Sequence, residues 1–544
     1  MMLEADYVII GGGTAGCVLA NRLSADPACQ VVILEAGDED TSRWIAMPAG
    51  IARLFGHPRL DWRYRTEPEA ALGGRRLYWP RGKVLGGTSS INGMTFTRGQ
   101  AADYDAWGEI AGSDWAWESV LPYFKRLEDS PFGTREFRGS GGPMRIGPVV
   151  SPHPLARAFF NACVASGIPA NDDYNGATQE GISFTQVMMR DGVRVSAASA
   201  YLAPARSRAN LRVLTKSLAR RIVIANRRAT GVEFEHRNSV ETVTARREVL
   251  LCGGTIASPQ ILLRSGIGAA SALAPLGIAP VIDLHEVGRN MQEHVRAQLV
   301  FRTGTPSYNR EARGLRLARH VANYVLHRRG LLAVTASQVN GFVRSSPEID
   351  RPDLQLVFRP SSGDYRDGRF VIHKYQGVMA TAGLLRPKSR GHVALRSADA
   401  HVAPAIVAGH LTAAADVEPL VRGVQLLRGV FASPPLFDDV LEEVRPGAAV
   451  NDAEALRKYI YATADSLQHA VGTCAMGLSG DSVTTPGLRV RGIAALRVVD
   501  ASVMPLIPSG NTAAAVLMIA ERAADLILTS RASEGHAGSP QDRQ

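Results

Sequence analysis

Asp6-Tyr7-Val8-Ile9-Ile10-Gly11-Gly12-Gly13-Thr14-Ala15-Gly16 decides the fold. Apolar residues run straight into Gly11-x-Gly13-x-x-Gly16, and an alanine- and leucine-bearing helix pattern follows through Leu23. That is the order a dinucleotide-binding βαβ unit requires. Gly11 permits the tight turn, Gly13 lets the backbone approach a pyrophosphate, and Gly16 lets the helix pack closely on the strand. The N-terminus of the helix then offers free N–H groups and a partial positive charge to phosphates. Cys29-Gln30-Val31-Val32-Ile33-Leu34-Glu35 reads as the second strand and ends on an acid. Glu35 lies about two dozen residues beyond Gly11, where a carboxylate accepts the hydroxyls of an adenosine ribose.

Outward from this unit, composition sets limits. The 544 residues suffice for more than one domain. Apolar content of 45 % and charged content of 21 % are those of an ordinary globular enzyme. The net charge of +10 comes mostly from arginines spread along the chain. No basic run with interleaved aromatics appears, so a nucleic-acid partner is not expected. Weak attraction to an acidic membrane surface stays open. Cys17, Cys29, Cys163, Cys252 and Cys474 form no C-x-x-C pair, which implies neither a zinc site nor a disulfide framework. No metal is expected. The first strand starts almost at once, leaving no room for a signal peptide, and no apolar run reaches the ~20 residues of a spanning helix. The expectation is a cytoplasmic protein, at most loosely membrane-associated.

Further along, Pro80-Arg81-Gly82-Lys83-Val84-Leu85-Gly86-Gly87-Thr88-Ser89-Ser90-Ile91-Asn92-Gly93-Met94 is too rich in glycine and small hydroxyl residues for a helix or strand. Such a loop brings backbone N–H groups close to a ligand. Tyr104, Trp107, Trp115 and Trp117 read as core packing. Strand patterns return from Leu211 and close in Glu248 to Leu251 before Cys252-Gly253-Gly254. Ser258 and Pro259 read as the N-cap and first residue of a helix running from Gln260 to Arg264. Alternating segments between 301 and 461 predict a mainly antiparallel sheet, joined by a helix at Val417 to Val430. Residues 532–544 read as a disordered tail.

Taken together, the Gly11 turn, Glu35 and the Gly82-to-Ser89 loop resemble the glucose–methanol–choline (GMC) family of flavin oxidoreductases. Gly254-Thr255-Ile256-Ala257-Ser258-Pro259-Gln260 and His469-Ala470-Val471-Gly472-Thr473-Cys474, followed by Asp500-Ala501 and Gly510-Asn511-Thr512, carry the resemblance to the far end. It implies an α/β chain: a Rossmann-like FAD-binding domain from 1–150, 205–300 and 462–531, and an α+β substrate domain on an antiparallel sheet from 151–204 and 301–461. The family's sequence regions are expected at about 5–299 and 384–525. The resemblance implies FAD as cofactor, held by Gly11, Gly13, Thr14, Ala15, Gly16, Glu35, Ala36, Arg81, Leu85, Gly87, Thr88, Asn92, Gly93, Met94, Ala219, Asp500, Ala501, Asn511 and Thr512. It also places a helix from Arg194 to Leu202 near the active-site wall.

Oxidising an alcohol by hydride transfer needs a base for the hydroxyl proton and a hydride acceptor at the carbon. Histidine suits the first task because it titrates near working pH, and the resemblance maps that role onto His469. Asn511 matches the second active-site position, where its amide steadies developing alkoxide charge. The helix after Asn511 aims its N-terminal dipole at the flavin. Ile91 stands where members with covalent flavin carry His, which implies non-covalent FAD. Gln468 replaces the aromatic that choline-acting members use for a quaternary ammonium, and Ala470 and Ala515 stand where proline is common. The implied reaction takes an alcohol to an aldehyde or ketone, with hydride passing to flavin N5. Electrons then go to a quinone or other carrier, or to oxygen. The alternative is a hydroxynitrile lyase that keeps its flavin oxidised.

Overall fold

The computed structural model describes residues 3–366 and 368–537. Two sheets organise it. The first is seven-stranded and centres on β1 (Leu3–Ile10), which is followed by α1 (Thr14–Leu23) and β2 (Val31–Leu34). On one side β1 pairs in parallel with β2, and β2 with Leu211–Leu214. On the other it pairs in parallel with the long β3 (Ser239–Leu251), whose last residues pair in parallel with Leu496–Val498. The other half of β3 turns back through Arg228–His236 and Ser217–Ala225 as an antiparallel meander. The strands buried on both faces are those the sequence writes as unbroken apolar runs, Val8 to Ile10 and Val31 to Leu34.

The second sheet is antiparallel. Its order runs from Val440–Arg445 through β4 (Val295–Thr303), Gly377–Leu384, β5 (Leu354–Arg359) and Val339–Val343 to Gly181–Phe184. The helix Val417–Phe431 covers it through Leu420, Val421, Val424 and Leu427, a stripe at helical spacing. It comes so close that a Cβ on Gly423 would stand 2.7 Å from that of Ala382.

The two cores divide the chain more finely than boundaries at 150, 204 and 300 allow. Leu72, Leu77 and Trp79 pack into the core of the second sheet, although they precede residue 150. Met188, Tyr201 and Leu202 pack into the core of the first, although they follow it. β4 begins at Val295, inside the stretch assigned to the first domain.

Three local expectations are corrected. Helix α2 spans Gly254–Arg264, so Ser258 and Pro259 lie inside it and do not start it. Arg194 closes a short strand, and the helical turn begins only at Ala198. The last helix runs Ala513–Ala537, so residues 532–537 are helical; the rest of the expected tail, 538–544, lies outside the described residues. The aromatic cluster is core, with the Tyr104 ring 5.0 Å from Trp107 and 5.4 Å from Phe124. Among the described residues no helix is long and apolar enough to cross a membrane.

Candidate active site

A large cavity lies between the two sheets, and most of the residues expected to hold a cofactor line it. They are Gly11, Gly13, Thr14, Ala15, Glu35, Ala36, Arg81, Gly87, Thr88, Asn92, Gly93, Met94, Ala219, Asp500, Ala501, Asn511 and Thr512. Gly16 and Leu85 stand behind the wall. A Cβ on Gly16 would sit 2.0 Å from the Gly11 carbonyl oxygen, and the Leu85 side chain would meet a Cβ on Gly12 at 2.8 Å. Both shape the turn from outside the cavity.

The glycines divide by what surrounds them. Gly11 has φ +102°, and a Cβ there would come within 2.6 Å of the Cys252 carbonyl oxygen. At Gly13 a Cβ would meet no protein atom closer than 3.9 Å. The space beside Gly13 is therefore cavity, the opening a pyrophosphate needs against bare backbone. Both Glu35 oxygens accept backbone N–H bonds, from Gly12 at 2.8 Å and Gly37 at 2.7 Å. Burial pushes its carboxyl up to about 7, against the pull of those two N–H groups.

Three helix N-termini converge on the cavity: α1 at Thr14, α2 at Gly254 and α3 (Ala513–Ala537) at Ala513. Each brings backbone N–H groups and partial positive charge to that end of the helix. Asp500 caps α2, accepting from the Gly254 N–H at 2.8 Å and the Ser258 hydroxyl at 2.5 Å. Arg194 ties down the glycine-rich loop by donating to the Asn92 carbonyl at 2.7 Å and its side-chain oxygen at 2.9 Å.

His469 and Asn511 meet at the cavity wall just before α3, where Asn511 Nδ2 lies 2.8 Å from His469 Nε2. Asn511 Oδ1 accepts from Gln355 Nε2 at 3.1 Å, so its amide nitrogen faces the histidine. Behind the ring, His469 Nδ1 is 2.9 Å from His294 Nδ1, and His294 Nε2 is 3.0 Å from the Leu385 carbonyl. A carbonyl only accepts, so this contact assigns the proton of His294 to Nε2. His294 Nδ1 is then an acceptor, His469 carries its proton on Nδ1, and its Nε2 presents a lone pair. Burial pushes the His469 pKa well below 6.5, and the neighbouring His294, Arg81 and Arg296 push the same way. The ring is neutral and basic at Nε2. The His469 backbone N–H donates to Glu293 at 2.7 Å, which fixes the segment carrying the ring.

Glu293, His294 and Gln355 were not singled out in the sequence, and Arg194 was read only as the start of a helix near the active-site wall. His294 lies 175 residues from His469 in the chain. The pairing of β4 with Asp465–Ser466 and the bridge between Gln292 and Val471 bring the two segments together.

Comparison with known proteins decides the family. The GMC oxidoreductase N-terminal model matches residues 5–296 and the C-terminal model residues 387–520. The chain belongs to the GMC oxidoreductase family. Its GMC relatives include an alcohol dehydrogenase [acceptor] of Pseudomonas putida, 40 % identical over 96 % of this chain and 95 % of that protein. Human mitochondrial choline dehydrogenase is 38 % identical over 96 % and 90 %. Among solved structures, pyridoxine 4-oxidase from Mesorbium loti superposes with TM-score 0.87 at 31 % identity, covering 96 % of this chain and 98 % of that one. Formate oxidase of Aspergillus oryzae superposes with TM-score 0.91 at 25 % identity, covering 98 % and 99 %. GMC enzymes are FAD-dependent oxidoreductases, and this chain is one. The bare backbone at Gly13, the three helix N-termini and the Glu35 carboxylate fit that dinucleotide.

Proposed function

We propose that this enzyme oxidises the CH–OH group of an alcohol to an aldehyde or ketone. The observation that carries the reading is the His469–Asn511 pair, a neutral imidazole with its Nε2 lone pair turned to an amide donor at the cavity wall. An alcohol oxygen replacing their direct contact accepts from Asn511 Nδ2 and donates its proton to His469 Nε2. His294 then stabilises the resulting imidazolium by accepting from Nδ1. FAD, when bound, supplies the hydride acceptor for the alcohol carbon. Asn511 holds the oxygen as negative charge develops there.

Non-covalent FAD is supported by Ile91, a fully buried side chain with no nucleophilic atom. The first core reads as the half that holds the cofactor and the second as the half that shapes the substrate. Arg81, Arg264, Arg296 and Arg359 line the cavity, and Gln468 offers no aromatic face, so an uncharged alcohol suits it better than a quaternary ammonium. The name of the Pseudomonas relative supports delivery of electrons to an acceptor such as a quinone, with oxygen as the alternative. The five free, buried cysteines support a cytoplasmic setting, and the basic charge supports peripheral contact with a membrane.

Anaerobic mixing of the yellow holoenzyme with aliphatic, aromatic and sugar alcohols tests the reaction. Loss of oxidised-flavin absorbance with one class is the expected outcome, and admitting air separates oxidase from dehydrogenase. A flavin that stays oxidised while the enzyme cleaves a hydroxynitrile would replace alcohol oxidation with the lyase chemistry.

A further inference from the structure

The helix Gly314–His327 is fourteen residues long, and Tyr324 is its one buried residue. A helix on a globular surface ordinarily turns its apolar stripe to the core. Here Leu317, Val321 and Val325 recur every four residues, with Ala318 and Ala322 beside them, and together they line a shallow surface groove. Leu315 is 90 % exposed, Leu326 73 % and Val325 65 %. The helix is held to the protein from its other side, by His320 against Glu311 and by the Tyr324 hydroxyl donating to the Gly192 carbonyl. The helix and its flanks carry Arg313, Arg316, Arg319, Arg328 and Arg329, and the sequence from 312 to 330 holds no acid.

From these observations we infer that this helix is a membrane-surface element that docks on an anionic lipid bilayer, lying in its interface. The inference rests on the peripheral contact proposed above and names its surface. Apolar residues on one face, arginines flanking them and low overall hydropathy are what an interfacial helix needs. A second copy of the chain fits less well. A helix of this length is about 21 Å long and about 10 Å wide, so one face covers on the order of 200 Å², against about 800 Å² per partner in a stable dimer. A pair would also bring the arginines of both copies together.

Placement gives the contact a use. The chain leaves the helix through the turn Leu331–Ala333 and reaches the cavity wall at Ala336 and Ser337. That turn packs on Pro48–Gly50, just before Ile51, which also lines the cavity. A docked helix would hold this edge of the cavity against the bilayer, where an apolar alcohol or a lipid-soluble electron acceptor is concentrated.

The test is co-sedimentation of FAD-loaded full-length enzyme with phosphatidylglycerol-containing vesicles and with pure phosphatidylcholine vesicles. The same is done with the variant Leu315→Ser/Val325→Ser/Leu326→Ser. The wild type is expected to pellet with the anionic vesicles, less so in high salt, and the variant roughly tenfold less. Flavin bleaching by alcohol in the variant is expected to match wild type, which shows that it is folded. A wild type that binds neither vesicle would sink the peripheral contact itself. Equal pelleting of wild type and variant would leave that contact standing and overturn the assignment to this helix. Dimers in light scattering that the variant abolishes would make the face a seam between copies and overturn the bilayer reading.

Discussion

His469 takes its basic nitrogen from a carbonyl that it never touches. The Leu385 oxygen fixes the proton of His294, which fixes that of His469, and the Nε2 lone pair follows. His469→Ala should lower kcat by about 10²- to 10⁴-fold, the usual worth of a positioned base. Its depressed pKa also gives the pH profile a sign. The active form is neutral, so activity is lost only as pH falls through the lowered value, and the acid limb of kcat/KM should lie below the 6.5 of an ordinary histidine. A limb at or above 6.5, measured by anaerobic flavin reduction against pH, would count against His469 as base. His469 and Asn511 were reached through the family resemblance, which maps both roles onto their motifs, and the structure brings the two side chains together. His294 and Gln355 were not legible, because what defines them is a contact across more than 150 residues of chain.

Each glycine of the opening turn answers to a different neighbour, and substitution should separate them. Gly13→Ala places its methyl group in cavity space, so the protein should fold and load FAD poorly. Gly16→Ala drives a methyl into the Gly11 carbonyl and should lower the melting temperature of the apoprotein itself. Calorimetry of the apo forms beside flavin content of the purified proteins distinguishes the two, and equal flavin loading in Gly13→Ala would refute the cradle. The βαβ unit was readable because its spacing is set by local sterics. Helix α2 was misread because Asp500, from far along the chain, does the capping that Ser258 seemed placed to do. Pro259 cannot donate to the Thr255 carbonyl, and the Thr473 hydroxyl donates there instead at 2.7 Å. Thr255 returns a bond to the Ala470 carbonyl at 2.6 Å, so α2 clamps the segment that carries His469. Thr473→Val should leave that buried carbonyl unpaired and cost about 1–3 kcal/mol in denaturant unfolding. Loss of less than a few tenths would mean that the carbonyl finds another donor.

Both cores contribute to the cavity. Turns and helix N-termini of the first make one wall of the cavity, and β5 of the second makes the other. Along β5, Gln355, Val357 and Arg359 all face the cavity, as alternate residues of a strand must. The antiparallel sheet was legible from alternation, but which of its faces forms a wall depends on how the two sheets meet, which no local pattern encodes. The helix Gly314–His327 went unread in a stretch taken as mainly sheet, and the exposure of its apolar stripe is visible only in the structure. Gln355 touches Asn511, and Val357 stands two residues on, roughly 7 Å along the same face. Val357 is thus placed to limit the size of an alcohol without touching the dinucleotide cradle. Val357→Trp should leave flavin content and absorbance unchanged while lowering kcat/KM for bulky alcohols roughly 10- to 200-fold, the range that hydrophobic fit supplies. Small alcohols should be affected least. Steady-state kinetics over an alcohol size series, with flavin content measured on the same preparations, decides the matter. A parallel fall in bound FAD would show that the two walls act as one, and a uniform loss across all sizes would remove Val357 from the substrate's path.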